Sequence, residues 1–335
     1  MTKRTQNRQG IAVISVLIVI ALISASVSLM FQRFDRDLKQ TQFIVTQTQA
    51  LNHLYSIETW AKNILSSDDP SVDHLNEVWA TSITPIQIPG GLVFGKLTDL
   101  QSKLNLNNLI DLETNQYSPQ YRSFFYDCIN LLNTQLQQQA MGDTIFSHLI
   151  NQYPKPKSFE QVSEMKQIQS IVVEDYIKIK PLLSALPSLT AINVNTASKK
   201  VLSCLHPQLT VSMVNEVIQR RNKQEFTTID DFWALSHSLL PHMTLDEIKE
   251  NLPAQFVNTV SDYFLLETDI SFEENKLLGR TVLHRKDGKI TIVGDIIIDR
   301  TDFNINYKSS SIFPEFADNF IYDEFTITLE PMIFE

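Results

Sequence analysis

Glycine is scarce in this 335-residue sequence, which contains eight glycines and therefore has little material for phosphate-binding loops. The segment "GGLVFGK" does not have the spacing of a P-loop. Neither H-E-x-x-H, the zinc-protease motif, nor G-x-S-x-G, the nucleophile motif of serine hydrolases, occurs, and the seven histidines are scattered. The sequence therefore predicts a protein that is not an enzyme and requires no cofactor.

Cysteine is scarcer still, and Cys128 and Cys204 are the two present. Their spacing matches no zinc or iron–sulfur motif. In an oxidising compartment the two could form one disulfide, and otherwise they would be two buried thiols. The sequence alone does not choose between these alternatives.

Basic residues are outnumbered by acidic ones, 28 to 38, so the formal net charge is -10. Residues 1–10 contribute only basic groups to that total, so the remainder of the chain is more acidic still. An acidic surface repels nucleic-acid backbones, which removes the electrostatic attraction on which DNA binding depends. The same surface favours cations such as calcium.

A run of 21 uncharged residues, 11–31, follows the basic N-terminal stretch. As a helix it would be about 30 Å long, which matches the core of a bilayer. A secretory signal, with "SAS" at 24–26 as its cleavage site, is the alternative, but such signals have only about 7–15 apolar residues. The basic residues before the run predict a cytoplasmic N-terminus and a chain that lies mostly outside the inner membrane.

The residues after the run carry no helix-breaking signal. No glycine or proline occurs between Gly10 and Pro70, and apolar residues continue at helical spacing. This pattern predicts one helix over residues 11–66, apolar all round at first and amphipathic later. An anchor followed by a separate helix is the alternative.

A basic stub, a glycine, an apolar helix and an amphipathic continuation together resemble the N-termini of type IV pilin-like proteins. The resemblance implies cleavage by a prepilin peptidase between Gly10 and Ile11, and N-methylation of Ile11. It also implies that the helix is kept and packs into a filament. The family usually carries glutamate at the fifth position of the mature chain, where this sequence has Ser15, so the usual pairing of that carboxylate with a neighbouring subunit's terminal amine is excluded.

The rest of the chain changes from strands to helices and back to strands. Alternating apolar residues around a Pro-Gly-Gly turn predict two short strands within residues 84–100, and residues 107–255 are predicted to be mostly helical, with one helix over 121–141. Three strands follow, and Asp287-Gly288 is a hairpin turn between the last two. The helix starts are predicted at the caps Thr196, Thr210, Thr228 with Asp231, and Thr244 with Glu247.

The predicted fold class is therefore α+β: a pilin-like long N-terminal helix packed on a small antiparallel sheet, with a large helical domain inserted in the sheet. The predicted divisions are a leader, 1–10; the transmembrane half of the helix, 11–32; the rest of the helix and the first strands, 33–109; the inserted helical domain, 110–255; and the C-terminal strands, 256–335.

Three further segments narrow the resemblance. "LTDLQSKLNLNNL" (97–109), "INVNTASKKVL" (192–202) and "EVIQRRNKQEFTTIDDF" (216–232) are similar to the K-type minor pseudopilin of type II secretion. That family also lacks the glutamate. The resemblance implies a subunit at the tip of a periplasmic pseudopilus, with I-type and J-type minor pseudopilins, other pseudopilins and the inner-membrane secretion platform as partners. If that glutamate pairs with the subunit next towards the tip, a topmost subunit has no such partner, which agrees with Ser15. The alternative is that Ser15 is simply a neutral residue of the helix.

The main alternative is a membrane-anchored helix-hairpin-helix DNA-binding protein of DNA uptake. Residues 192–232 resemble that unit too, and five basic residues lie within them: Lys199, Lys200, Arg220, Arg221 and Lys223. The hairpin, however, is "HPQLT" at 206–210 and lacks the glycines that let a phosphate approach the backbone. No nucleic-acid partner is therefore predicted.

Calcium is the one candidate ligand. It takes six to eight oxygen ligands, often carboxylates, and the resemblance to the K-type family implies calcium binding. The C-terminal region offers the candidate ligands Asp262, Glu267, Asp269, Glu273, Glu274 and Asp287. A solvated acidic face is the equally weighted alternative.

Overall fold

A single helix, α1, spans Lys3–Ser67 without a break in the computed structural model. The structure describes residues 3–81, 84–111, 116–117, 121–125, 128, 145, 158–168, 171–272, 275–299 and 307–308. The prediction of one continuous helix is confirmed. The helix begins before residue 11 because one glycine, Gly10, costs a helix only about 1 kcal/mol and does not end it.

An antiparallel sheet of six strands follows the order β1-β2-β9-β10-β11-β12. Its first two strands are the pair predicted around the Pro-Gly-Gly turn. The bounds are β1 Ile86–Ile88, β2 Gly91–Asp99, β9 Tyr263–Phe272, β10 Asn275–Lys286, β11 Lys289–Asp299 and β12 Tyr307–Lys308.

The helical part of the chain is inserted between two neighbouring strands of this sheet. β2 pairs with β9 from Gly91 opposite Phe272 to Asp99 opposite Phe264, although residues 100–262 separate the two strands in sequence. β10 and β11 form the predicted hairpin, in which Asp287 and Gly288 have φ of 51° and 72°. These positive values are those of a type I′ turn, for which Asp-Gly is a favoured pair.

The inserted part contains short helices and pairs of very short strands. The helices are α2 Val173–Ile179, α3 Lys199–Ser203, α4 Val211–Lys223, α5 Ile229–Leu239 and α6 Leu245–Asn251. The strands are β3 Leu104–Asn105, β4 Ile110–Asp111, β5 Gln116–Tyr117, β6 Leu183–Ser184, β7 Ile192–Asn193 and β8 Val257–Asn258. Of the predicted helix over 121–141, residues 121–125 and 128 are helical and the rest lie outside the described residues.

Three of the four predicted helix caps are confirmed. Thr210 accepts the N–H of Met213, and the pairs Thr228–Asp231 and Thr244–Glu247 form capping boxes. The prediction of Thr196 as a cap is wrong. Ser198 caps α3 instead, because it directly precedes the first helical residue.

Two large hydrophobic cores account for most of the buried apolar side chains. In the first, the C-terminal half of α1 packs on the sheet through Ala50, Leu54, Ile57, Ala61 and Leu65. The second core lies within the inserted part and extends from Leu104 to Val257 in sequence. Each part of the fold therefore has its own apolar interior, and polar groups lie where the two parts meet.

Candidate functional site: an exposed apolar helix and a buried polar junction

Residues 13–45 of α1 are exposed along their whole length. Met30 and Phe31 are 73% and 69% exposed, and the first buried residue of the described part of the helix is Thr46. Among the described residues, α1 is the one helix long and apolar enough to cross a membrane, judged by length and composition. Gly10 and Ile11 lie within this helix, and Ser15 is exposed on it.

Apolar exposure continues on α1 beyond the length that a bilayer would cover. Phe34, Leu38 and Val45 are 64%, 44% and 50% exposed, and their spacing places them on one face of the helix. Exposed apolar side chains on one face of a helix are suited to packing against another protein. We call these three residues the α1 strip.

A buried ion pair ties the end of α1 to the sheet. Arg285, on β10, donates from Nη2 to both carboxylate oxygens of Asp73, at 2.6 and 2.5 Å, and to the carbonyl of Ser261 at 2.7 Å. Its Nη1 lies 3.3 Å from Asp68. The side chains of Arg285 and Asp73 are 5% and 0% exposed, so water screens little of their attraction. Burial raises the pKa of Asp73, and Arg285 opposes that shift.

Asp99, at the end of β2, connects the sheet to the inserted part. Its carboxylate accepts the N–H of Gln101 at 2.7 Å, the hydroxyl of Ser261 at 2.8 Å and the hydroxyl of Thr196. Asn193 donates to the same Ser261 hydroxyl at 2.9 Å and to the carbonyl of Asp73 at 3.1 Å. Burial raises the pKa of Asp99 to about 6, although its hydrogen bonds favour the charged form.

We call this network the polar junction and define it by six residues. They come from the loop after α1, from strands β2 and β10, from β7 and the turn that follows it, and from the loop before β9: Asp73, Asp99, Asn193, Thr196, Ser261 and Arg285. A buried network in which each charge has partners holds its elements in one arrangement. The junction therefore fixes the inserted part relative to α1.

Within the inserted part, buried asparagines make further hydrogen bonds that join segments distant in sequence. Asn107 accepts the N–H of Phe159 and donates to its carbonyl, both at 2.7 Å, and Asn105 accepts the N–H of Leu186 at 3.0 Å. Asn195 makes the same two-way bond to Phe226. None of these asparagines was predicted to have a role. The alternation of leucine and asparagine in "LNLNNL" is the signal that could have identified them, because asparagines between core residues must find backbone partners.

The predicted calcium ligands do not converge in the described part of the chain. Glu267 pairs with Arg280 at 3.1 Å and Asp269 with Lys276 at 3.5 Å, both along β9 and β10. Asp262 is exposed at the start of β9, and Asp287 lies in the hairpin turn. Glu273 and Glu274 lie outside the described residues. The four described carboxylates do not form the multi-oxygen shell that calcium takes, and calcium binding stays a prediction.

Three other carboxylates do lie close to one another. Ligand oxygens of Asp68, Asp73 and Glu77 are all within 4.8 Å of one another. Arg285 already bonds two of these three carboxylates, so its guanidinium supplies the positive charge that a metal ion would supply. Burial raises the pKa of Glu77 to about 7, where it accepts the indole N–H of Trp79. This group therefore fits an ion-pair network better than a metal site.

Both cysteines are buried in the second core as thiols that are not joined in a disulfide. They are nevertheless in contact, because the Cys128 sulfur lies 2.9 Å from the carbonyl oxygen of Cys204.

Comparison with known proteins favours the pseudopilin hypothesis over the DNA-uptake hypothesis. The family model described as type II secretion system protein K matches residues 192–247, the segment that also resembled a helix-hairpin-helix. Type II secretion system protein K of Pseudomonas aeruginosa is 26% identical over 87% of this chain and 92% of its own length. The chain is therefore similar to type II secretion system protein K along most of its length.

Two further proteins with lower identity match along most of the chain as well. Type II secretion system protein K of Dickeya chrysanthemi is 19% identical over 84% of this chain and 94% of its own length. A chain in the crystal structure of the GspK-GspI-GspJ complex from enterotoxigenic Escherichia coli is 21% identical, with a TM-score of 0.63. The match covers 77% of this chain and 99% of that one, so the two share a fold. The α+β fold class is confirmed.

The connection at residues 206–210 of this chain also lacks the features that hold a phosphate. The N–H groups of Gln208 and Leu209 already bond the ring nitrogen and the carbonyl of His206. Arg221, one of the five basic residues of this segment, is 8% exposed and donates to two backbone carbonyls, those of Val194 and Ala197. Burial lowers its pKa to about 10. Arg221 therefore stabilises the fold and does not contribute to a nucleic-acid surface.

Proposed function

We propose that this minor pseudopilin caps the tip of the type II secretion pseudopilus and is needed for pseudopilus assembly and for protein export across the outer membrane. The observation that carries the proposal is the division of α1. Its N-terminal half is exposed and apolar, while its C-terminal half is bound to its own sheet. One half is therefore available to other helices, and the other half supports a bulky inserted domain that suits a cap better than a filament shaft.

The proposed topology follows from the charges around the apolar run. The basic N-terminal stretch stays in the cytoplasm, the run crosses the inner membrane, and the two cores lie in the periplasm. A prepilin peptidase cuts between Gly10 and Ile11, and Ile11 becomes the methylated N-terminus. The helix that remains still contains the whole apolar run.

The α1 strip is the proposed contact with the I-type and J-type minor pseudopilins. The related Escherichia coli chain was crystallised in a complex of GspK with GspI and GspJ, which supports partners of the same kind here. Phe34, Leu38 and Val45 lose water contact when other helices pack on them, and burying one such side chain is worth about 1.5–3 kcal/mol. The other pseudopilins and the inner-membrane platform are the remaining proposed partners.

Ser15 supports the position at the tip. A carboxylate within a bilayer is costly unless it has a partner. A subunit with no neighbour above it would leave a glutamate without the terminal amine to pair with, whereas serine carries no charge. We expect Ser15→Glu to reduce secretion and tip assembly. Unchanged secretion and assembly would remove this argument.

A secretion assay tests the proposed function. In cells that lack the chromosomal gene, Leu38→Asp should reduce export of type II substrates because it places a charge in the α1 strip. Gln40→Asp, on the opposite face of the same helix, is the control and should export normally. Equal export by both variants, at equal protein levels, would contradict the proposed role of the strip.

A further inference from the structure

The second core brings the two cysteines of the chain together although 76 residues separate them in sequence. Cys128 and Cys204 are 0% and 2% exposed. Cys128 points its sulfur at the main chain of Cys204, with 2.9 Å between its Sγ and the Cys204 carbonyl oxygen. The Cys204 thiol donates to the carbonyl of Val201 at 3.0 Å, so it is held at the end of α3 beside Cys128.

Tyr121, in the helical segment 121–125, is buried in the same core as both cysteines. Burial is the first cause that raises its pKa, and Cys128 and Cys204 when ionised raise it further. These causes agree with two thiols in one region of the core, and the contact between Cys128 and Cys204 carries the argument.

We propose that Cys128 and Cys204 form a disulfide that joins the segment around residue 128 to the end of α3 in the mature protein. The proposal rests on the proposed function for one premise, that the cores lie in the oxidising periplasm. Disulfides form and persist in such compartments. The free thiols of the structure are the reduced state of the same pair.

Closing the disulfide requires a movement of the Cys204 side chain. A disulfide needs Cα atoms about 4.4–6.8 Å apart, and the Cys128 sulfur already touches the backbone of Cys204. Rotation of the Cys204 side chain about its Cα–Cβ bond breaks its bond to the Val201 carbonyl and turns the sulfur to another staggered position. This rotation would bring the Cys204 sulfur towards the Cys128 sulfur, which lies beside the Cys204 backbone.

The oxidant is a thiol:disulfide oxidoreductase in its disulfide form. A thiolate of the chain attacks that disulfide and forms a mixed disulfide, and the second cysteine then displaces the oxidoreductase as a dithiol. The chain loses two protons and two electrons, and the oxidoreductase gains the electrons. Because both cysteines are almost fully buried in the finished core, the exchange takes place during folding, before the core closes.

Thiol trapping in cells tests the proposal with the full-length chain. Acid-quenched cells are denatured and treated with a maleimide polymer that adds mass to each free thiol. The wild-type chain should show no added mass, and two additions after prior treatment with dithiothreitol. Cys128→Ser should show one addition under both conditions, which verifies that trapping is complete.

Protease treatment of spheroplasts from the same culture separates the two possible failures. Two free thiols in a chain whose bulk is digested from outside would overturn the disulfide and leave the proposed topology standing. Two free thiols in a protected chain would overturn both. In a host without periplasmic oxidoreductases, the wild-type chain should show two additions without dithiothreitol.

Thermal unfolding of the purified chain in detergent gives an independent measurement. Closing a loop of 76 residues should raise the unfolding temperature by roughly 10 °C over the reduced form. The double variant Cys128→Ala/Cys204→Ala should unfold at one temperature with and without dithiothreitol. A wild type whose unfolding temperature is the same in both conditions would contradict the proposal.

Discussion

Replacing Arg285 by methionine removes the central cation of the polar junction while keeping most of the side-chain volume. Asp73 is then left buried without its partner, since its side chain is 0% exposed. Breaking a buried pair in this way costs about 3–5 kcal/mol. Arg280→Met is the matched control on the same strand. The side chains of Arg280 and Glu267 are 28% and 27% exposed, so loss of this ion pair should lower the free energy of unfolding by no more than about 1 kcal/mol.

The free energy of unfolding that Arg285→Met removes should also depend on pH, and the structure predicts the direction. Burial already raises the pKa of Asp73, and Arg285 opposes that shift. Without Arg285 the pKa rises further, and a buried acid with a raised pKa destabilises the fold as pH rises and the group becomes charged. The cost of Arg285→Met should therefore be larger at pH 8 than at pH 5. Asp73→Asn in the same chain should recover part of it.

Urea unfolding of residues 33–335 measures these differences, because residues 13–45 make no buried contact. Trp79 lies in the first core and Trp233 in the second, so tryptophan emission follows both. If Arg285→Met lost no more free energy of unfolding than Arg280→Met, the polar junction would not hold the two parts together. A loss that grew as pH fell would refute the assignment of Asp73 as the stranded group.

Three further predictions concern the fold. Asp99 has a pKa of about 6 against an ordinary 3.8, so it should lower the free energy of unfolding by about 2 kcal/mol as pH rises from 4 to 7. Asp99→Asn should flatten that slope in urea titrations, and an unchanged slope would contradict this. Gly91→Ala should lower the free energy of unfolding by about 1–3 kcal/mol, because the added Cβ would lie 1.9 Å from the Ser271 carbonyl oxygen. Gly294→Ala is the control and should lower it less, since a Cβ there meets nothing within 4 Å. Equal shifts of the unfolding temperature would contradict this. Thr244→Ala should cost about 1 kcal/mol by removing the cap of α6, and thermal unfolding should show no comparable loss for Ser238→Ala, whose hydroxyl bonds only the carbonyl of Leu235.

Local signals predicted the elements whose causes are local. Helix α1 follows from a long stretch without a breaker between Gly10 and Pro70, and the β10–β11 hairpin follows from Asp287-Gly288 between alternating segments. Two of the confirmed caps are pairs three residues apart. Each of these features depends on residues that are close in sequence, so a pattern in one sequence can indicate them.

The polar junction could not be predicted, because its bonds join residues far apart in sequence. Arg285 and Asp73 are 212 residues apart, and Asp99 and Ser261 are 162 apart. Before the topology is known, Arg285 in "LHRK" looks like one exposed charge among several. Thr196 shows the same limit, because a threonine near a helix start predicts a cap, yet its hydroxyl instead donates to Asp99.

The division of the chain into a leader, a membrane half-helix, an inserted domain and C-terminal strands stays a prediction at the level of its boundaries. The pairing of β2 with β9, which residues 100–262 separate in sequence, explains why an inserted domain was expected. A sequence that leaves a sheet after Asp99 and returns at Tyr263 shows strand patterns on both sides of a helical block.

Co-purification of residues 33–335 with the soluble parts of the I-type and J-type minor pseudopilins tests the central claim most directly. The proposed function predicts a ternary complex that elutes as one species. Leu38→Asp should weaken that complex, while Gln40→Asp should leave it intact. Failure of the wild-type fragment, folded by its tryptophan emission, to join the two partners would contradict the proposed function.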